Sequence, residues 1–387
     1  MNTVITFCTV AAACIVTLTS SALAIPAYAR KYDMSCNVCH SPVPKLKSFG
    51  EEFAANGYQM KDKEPPRFTR ETGDEKLLLM RELPLALRMD GYARYLPQNS
   101  PESDFQSPFI LKILSSGQIA RDVSYFLYFL FNEKGTVAGV EDAFLFFNNI
   151  GNVDFDITVG QYQVADPIFK RELRPTFEDY VIYTISPGHT KANLTYDRGI
   201  TLGYSLPTNT TIIGSILNGN GIEAADDFGN FDSDPYKNFF VRVAQQVDST
   251  LLIGGLGYLG KEREGDINNS FAMVGFDGRL SLGRWEIGAQ YVYRNDKNPY
   301  FLSTATSNIK SHGAFVELMY APQFDRSNWY FFALWNIVRS DIPELRYHTL
   351  TGNYSYMLSR NFRLIGEYTY DIEQKRNRFT VGFVTAF

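Results

Sequence analysis

The chain ends in Phe379-Thr380-Val381-Gly382-Phe383-Val384-Thr385-Ala386-Phe387, where residues 379, 381, 383 and 387 are bulky and apolar and their neighbours small or polar. Successive side chains of a strand point to opposite sides, so this stretch has one greasy face. Trp285, Ile287, Ala289, Tyr291 and Tyr293 alternate with Arg284, Glu286, Gly288, Gln290 and Arg294 in the same way. Phe362, Leu364, Gly366, Tyr368 and Tyr370 alternate with Arg363, Ile365, Glu367 and Thr369. Alternation sustained over eight or more residues, with charges on one face and aromatics at the segment ends, is what a membrane β-barrel demands, because lipid faces one side and water the other. A soluble sandwich also alternates, but its strands are shorter and its charged face does not need aromatics at both ends.

Sixteen such segments follow Leu83: 83-95, 108-120, 122-133, 139-149, 153-164, 196-206, 210-218, 237-247, 250-260, 269-281, 284-294, 308-321, 328-338, 344-358, 360-371 and 376-387. The connections after even segments are tight, whereas most after odd segments are longer, above all 165-195 and 219-236. The expected fold is therefore all-β: an antiparallel 16-stranded transmembrane barrel over residues 81-387, with short periplasmic turns, longer outer loops and both ends in the periplasm. The terminal Phe387 resembles the assembly signal of Gram-negative outer-membrane barrels. A barrel of this size has an aqueous lumen unless something fills it.

Composition agrees. Aromatics are abundant, with 30 Phe, 24 Tyr and 3 Trp, yet charged residues make up 20% and the net charge is -5. A nucleic-acid binder would show a basic surplus, and a disordered chain would lack aromatics. A helical membrane protein would show apolar runs of about 20 residues, and after the first 25 residues the longest strongly apolar stretch is only Val123 to Phe131.

Residues 1-24 carry no charged side chain, hold an apolar stretch around Val10 to Leu18 and end in Ala22-Leu23-Ala24, which together read as an export signal. Cys8 and Cys14 leave with it, so the exported chain keeps only Cys36 and Cys39, in Cys36-Asn37-Val38-Cys39-His40. Cys-x-x-Cys-His is the attachment pattern of c-type haem: two thiols reach the vinyl groups and the adjacent imidazole falls on the iron. The competing readings are weaker. A redox dithiol would open a helix in a thioredoxin-like unit, a zinc site needs four ligands, and a disulfide here closes too short a loop to help. One haem c is thus expected in a segment spanning 25-80, held by Cys36 and Cys39 with His40 as proximal iron ligand. Leu46, Phe49 and Phe53 fall on one face of a short helix ending at Asn56-Gly57, a face suited to cover the haem. Met60 is the candidate distal ligand, with His189, Met273 and Met319 as alternatives. A segment of about 55 residues is small for an independent domain, and it is a natural plug for the lumen.

Pro26-Ala27-Tyr28-Ala29-Arg30, the haem motif, Pro44-x-Leu46-x-x-Phe49-Gly50 and Phe53-x-x-Asn56-Gly57-Tyr58-x-Met60 resemble the fused monohaem cytochrome-porin family of the outer membrane, best known as iron(II) oxidases. Asp166-Pro167-Ile168-Phe169-Lys170-Arg171-Glu172-Leu173-Arg174 is similar to the barrel of that family. The resemblance implies a haem segment inside a 16-stranded barrel, an electron taken from extracellular ferrous iron and passed to a periplasmic carrier such as a soluble cytochrome c. The enzyme class it implies is an iron:cytochrome oxidoreductase. Two other readings stay open: the same conduit run outward to extracellular acceptors, and a diffusion porin with a structural or sensory haem. Glu223, Asp226, Asp227, Asp232 and Asp234 either steer cations to the mouth or simply solvate a loop. Lys170 to Arg174 either constrict the lumen or lie exposed. Outer-membrane lipid is the expected surrounding, and nucleic acid is not an expected partner.

Overall fold

The computed structural model describes residues 27-387 apart from 42, 61-68, 71, 75, 78, 82, 166-169 and 304-307. The export signal and Asp166 to Phe169 lie outside the described residues. The chain opens with helix α1 (Ala27–Tyr32), a 3-10 turn (Cys36–Val38) and helix α2 (Ser48–Ala55), then a two-stranded sheet of β1 (Thr69–Arg70) and β2 (Leu79–Met80). Sixteen strands follow: β3 (Leu85–Tyr95), β4 (Ser103–Ala120), β5 (Val123–Glu133), β6 (Gly139–Phe147), β7 (Phe155–Gln163), β8 (Tyr196–Leu206), β9 (Thr210–Leu217), β10 (Asn238–Gln246), β11 (Leu251–Glu264), β12 (Ile267–Leu282), β13 (Trp285–Asp296), β14 (Ile309–Tyr320), β15 (Trp329–Ser340), β16 (Tyr347–Ser359), β17 (Phe362–Asp371) and β18 (Arg376–Ala386). Each pairs antiparallel with its sequence neighbour, and β18 pairs with β3 from Phe379↔Tyr95 to Ala386↔Arg88, which closes the barrel.

The lipid face is the one that the alternation picked out. Phe379, Val381, Trp285, Tyr291, Tyr368 and Tyr370 are exposed, while Gln290, Arg294, Arg363 and Glu367 between them are buried toward the lumen. Closure leaves no unpaired edge, which a lipid-immersed backbone cannot tolerate. β4 begins at Ser103 rather than near 108, because the ladder runs through Pro108 by way of a register shift opposite Asp90 and Tyr92.

Both barrel ends, Leu85 and Ala386, lie on the side of the short connections. Most of the longer connections, among them the stretches between β7 and β8 and between β9 and β10, leave the strands at the other end.

α2 stops as its sequence requires. Gly57 takes φ 62°, its N–H bonds to the Ala54 carbonyl at 3.1 Å, and the Tyr58 N–H reaches Phe53 at 2.9 Å, a Schellman ending. Leu46 lies two residues before the helix, in an isolated bridge with His40. Its backbone therefore fixes the motif from outside the helix, while its side chain lies against Gly50 of α2.

Candidate functional site at the short-turn end of the lumen

Residues 27-60 pack inside the barrel at its short-turn end. Tyr28 bonds Ser116 of β4, Arg30 bonds the Leu85 carbonyl, and Tyr330 of β15 bonds the Val43 carbonyl. Tyr58 stacks on Phe126 of β5 at 4.9 Å, and Glu51 receives both guanidinium nitrogens of Arg279 at 2.5 and 2.8 Å. Lys45 is inserted between Glu286, at 2.6 Å, and Glu317. Burial pulls the Lys45 ammonium down, but the two carboxylates more than reverse this, so its pKa rises.

The motif itself is held rigidly. His40 N–H bonds Cys36 O at 2.9 Å, Ser41 N–H bonds Lys45 O and Lys47 N–H bonds Cys39 O, both at 3.0 Å, so residues 39-47 form a tight hairpin. His40 Nδ1 lies 2.7 Å from the Pro44 carbonyl. A carbonyl only accepts, so Nδ1 carries the proton and Nε2 keeps its lone pair, the arrangement that orients an imidazole toward a metal. Burial lowers the His40 pKa and keeps the ring neutral. Cys36 and Cys39 are free thiols, and burial raises both. α2 lies directly on the motif: a Cβ at Gly50 would stand 2.3 Å from the Cys39 carbonyl oxygen. Phe49 is 39% exposed and stacks on buried Phe53 at 6.4 Å, leaving an apolar ring face beside the hairpin. Two free thiols, a ligand-ready imidazole and adjacent apolar rings fit a covalently held haem. Among the described residues no three His, Cys, Asp or Glu side chains gather to hold a metal ion of their own.

The candidate distal ligands are dispersed. Met60 is half-buried on the plug, its N–H 3.4 Å from the Tyr32 hydroxyl. Met319 lies in the cluster with Tyr330, Phe332 and Met357 that packs on Val43, whereas Met273 lies in the separate core around the inward loop. His189 sits on the long-loop side near Glu264. Met357 was invisible to sequence reasoning, since only its neighbours on β14, β15 and the plug single it out.

Residues 170-195 fold into the lumen, which resolves the two readings of Lys170 to Arg174 in favour of a constriction. Glu172 pairs with Lys112, and Asp179 with Arg171 at 2.5 Å. Glu178 pairs with Arg378, and Glu367 accepts the Phe177 and Glu178 N–H groups at 2.7 and 3.0 Å. Tyr180 donates to Glu317 at 2.6 Å, so one carboxylate holds the plug through Lys45 and the inward loop through Tyr180. Its inward parity, opposite to Val316 and Leu318, was the only sequence signal for it.

The acids of the 219-236 loop mostly serve the loop. Asp226 accepts the Phe228 and Asn230 N–H groups, Asp232 pairs with Lys237, Asp234 accepts the Tyr236 and Arg263 N–H groups, and Glu223 pairs with Lys191. A cavity of about 470 Å³ lies between α2, the inward loop and the wall from β5 to β12, and none of Cys36, Cys39 or His40 lines it.

Solved structures with similar folds are outer-membrane porins and channels. An anion-selective porin from Comamonas acidovorans superposes with a TM-score of 0.59 at 10% identity, covering 79% of this chain and 99% of that one. A loop-deletion form of OmpT, an outer membrane protein of Vibrio cholerae, gives 0.58 at 10% identity over 79% and 99%. The outer membrane channel DcaP of Acinetobacter baumannii gives 0.55 at 13% identity over 79% and 97%. No family model matches the chain, and no curated protein matches it in sequence. The shared property is the porin fold.

Proposed function

We propose that this is an outer-membrane electron-transfer protein carrying one haem c, which takes electrons from extracellular ferrous iron and delivers them to a periplasmic carrier, as an iron:cytochrome oxidoreductase. The observation that carries this reading is His40, whose Nδ1–H is committed to the Pro44 carbonyl and whose Nε2 is left for iron, one residue from Cys39 and inside a barrel lumen. Cys36 and Cys39 would hold the haem covalently and His40 would ligate it, with Met60 as the candidate distal ligand. The haem supplies a one-electron ferric/ferrous couple whose potential is set by axial ligand and burial.

The protein's own share is positional. The hydrocarbon layer is about 30 Å thick, too wide for direct transfer between solutes on its two sides, and a centre held within the barrel divides that distance. The short-turn end then faces the periplasm, with both barrel termini there, as an even strand number favours. The porin fold equally supports a diffusion channel, whose passage the plug and the inward loop would narrow.

Purified protein tests this directly. It should show a c-type haem that stays attached through denaturation and is reduced rapidly by ferrous ion, and His40→Ala should remove its low-spin spectrum. Absence of covalent haem would overturn the assignment, and haem that ferrous ion leaves oxidised would overturn the donor. Met60→Ala should lower the reduction potential; an unchanged spectrum and potential would exclude Met60 as ligand.

A further inference from the structure

The cavity beside the plug has a chemistry that electron transfer through the motif does not use. Tyr58, Phe126, Phe144 and Tyr162 border it as a continuous aromatic wall: Tyr58 stacks on Phe126 at 4.9 Å, Phe126 on Phe144 at 5.2 Å, and Phe144 meets Tyr162 edge-on at 6.3 Å. Lumen-facing positions of an outer-membrane barrel are normally polar, so partly covered aromatic faces toward an internal space require an explanation. The adjoining strands β8 and β9 add the hydroxyls of Thr201, Ser205, Thr211 and Ser215.

The electrostatics select against charge. Of the four cations in the lining, Lys45 is held by Glu286 and Glu317, Arg242 by Asp277 at 2.5 Å and Arg279 by Glu51, and Lys170 is not free either. A ligand bringing its own charge would have to break one of these pairs. Gln163, in the same wall and 1% exposed, has neither its amide nitrogen nor its amide oxygen hydrogen-bonded among the described residues. Leaving a buried amide unpaired is costly, and a side-chain rotation that turns it into the cavity would let a ligand edge with a carbonyl and an N–H satisfy it. The volume of about 470 Å³ lies in the range of small-molecule sites. Asn209 and Gln246 border the cavity, which places its access at the short-turn end.

We infer that this cavity binds a neutral, planar, carbonyl-bearing ring system of the quinone or flavin type, packed against the aromatic wall of Phe126 and Phe144 with its polar edge toward Gln163. The inference concerns binding alone and does not depend on the haem assignment.

Riboflavin, which is neutral, water-soluble and fluorescent, is the first probe and menadione the second. Each is titrated by equilibrium dialysis against the detergent-purified full chain, with haem content read from the absorbance of the same sample. One saturable site per chain is expected. Thr211→Trp, which fills the cavity from its side wall, should abolish binding, and Gln163→Leu should weaken it about tenfold. Val159→Ala on the lipid face should leave it unchanged. Each variant is first checked for the heat-modifiable gel mobility of a folded barrel. Absence of a saturable site for either probe, or equal affinity in folded Thr211→Trp, overturns the inference. Loss of haem with ring binding retained overturns only the electron-transfer reading.

Discussion

Replacing Lys45 by Met isolates what seats the plug. The ammonium stands 2.6 Å from Glu286 and also contacts Glu317, with only 11% of its side chain and 15% of Glu286 exposed. At an effective dielectric of ~20, a unit pair at that separation attracts by roughly 6 kcal/mol before desolvation offsets most of it. Removing one partner of a buried pair costs about 3–5 kcal/mol, chiefly because a charge is left uncompensated. Here two carboxylates are left facing each other, with the Tyr180 hydroxyl on one of them. Partial exposure argues for the lower end, about 3 kcal/mol, and every ~1.4 kcal/mol is tenfold, so the unseated fraction should rise by roughly 10²-fold. In planar bilayers the parent protein should be closed with rare openings, and Lys45→Met should show frequent large steps. Adding Glu286→Gln and Glu317→Gln to Lys45→Met removes the stranded charges and should restore much of the closure. A folded Lys45→Met barrel as silent as the parent would refute the reasoning.

Two further perturbations test the plug and the inward loop separately. Gly50→Val drives a side chain into the Cys39 carbonyl, 2.3 Å from the new Cβ, and should prevent α2 from closing on the motif; haem staining should be lost while the folded-barrel gel mobility persists. For Asp179, burial raises the pKa but Arg174 and Arg171 more than reverse it, so the native value is depressed. A depressed carboxylate stabilises the native state above its unfolded value of about 3.9 and loses that contribution as pH falls through the native value. Loop protection from hydrogen exchange should therefore hold at pH 5 and decline only below about pH 4, whereas Asp179→Asn should weaken it at pH 7 and flatten the acid limb.

The barrel was readable because period two is a local property. Tyr196–Leu206 coincides with the expected segment, and most other strand ends differ by one to three residues. What fills the lumen was readable only in part. Cys36, Cys39 and His40 are adjacent in sequence, so their pattern survives without a fold. The inward course of 170-195 rests on pairs such as Arg378 with Glu178 and Arg363 with the Pro175 carbonyl, 200 and 188 residues apart. No local periodicity encodes these. One local clue does exist: β15, Trp-Tyr-Phe-Phe-Ala-Leu-Trp-Asn-Ile-Val-Arg-Ser, is apolar on both faces, and its inner residues Tyr330, Phe332, Leu334 and Val338 are all buried. A strand with lipid outside and apolar side chains inside requires protein in the lumen.

That requirement runs in one direction. The described plug is short for an independent domain: it encloses only the small cluster of Tyr28, Tyr32, Phe53 and Tyr58, and it is tied to the wall through Lys45 to Glu286 and Glu317, Glu51 to Arg279, Tyr58 to Phe126 and Val43 to Tyr330. The wall asks less of the plug. Glu286, Glu317 and Arg279 are ordinary polar lumen groups that water would satisfy in an unplugged barrel. On β15 the plug meets Tyr330 and Phe332 through Val43, while Leu334 and Val338 belong to the core formed with the inward loop. Barrel closure, fixed by sixteen antiparallel ladders, therefore does not wait for the plug, whereas the plug acquires its seat only from a closed barrel. Since Glu317 is also where Tyr180 docks, the seat is complete only when the loop is in place as well. A barrel made without residues 27-60 should then fold and conduct, and the isolated segment should remain unstructured; an independently folded segment, seen by far-ultraviolet circular dichroism, would contradict this order.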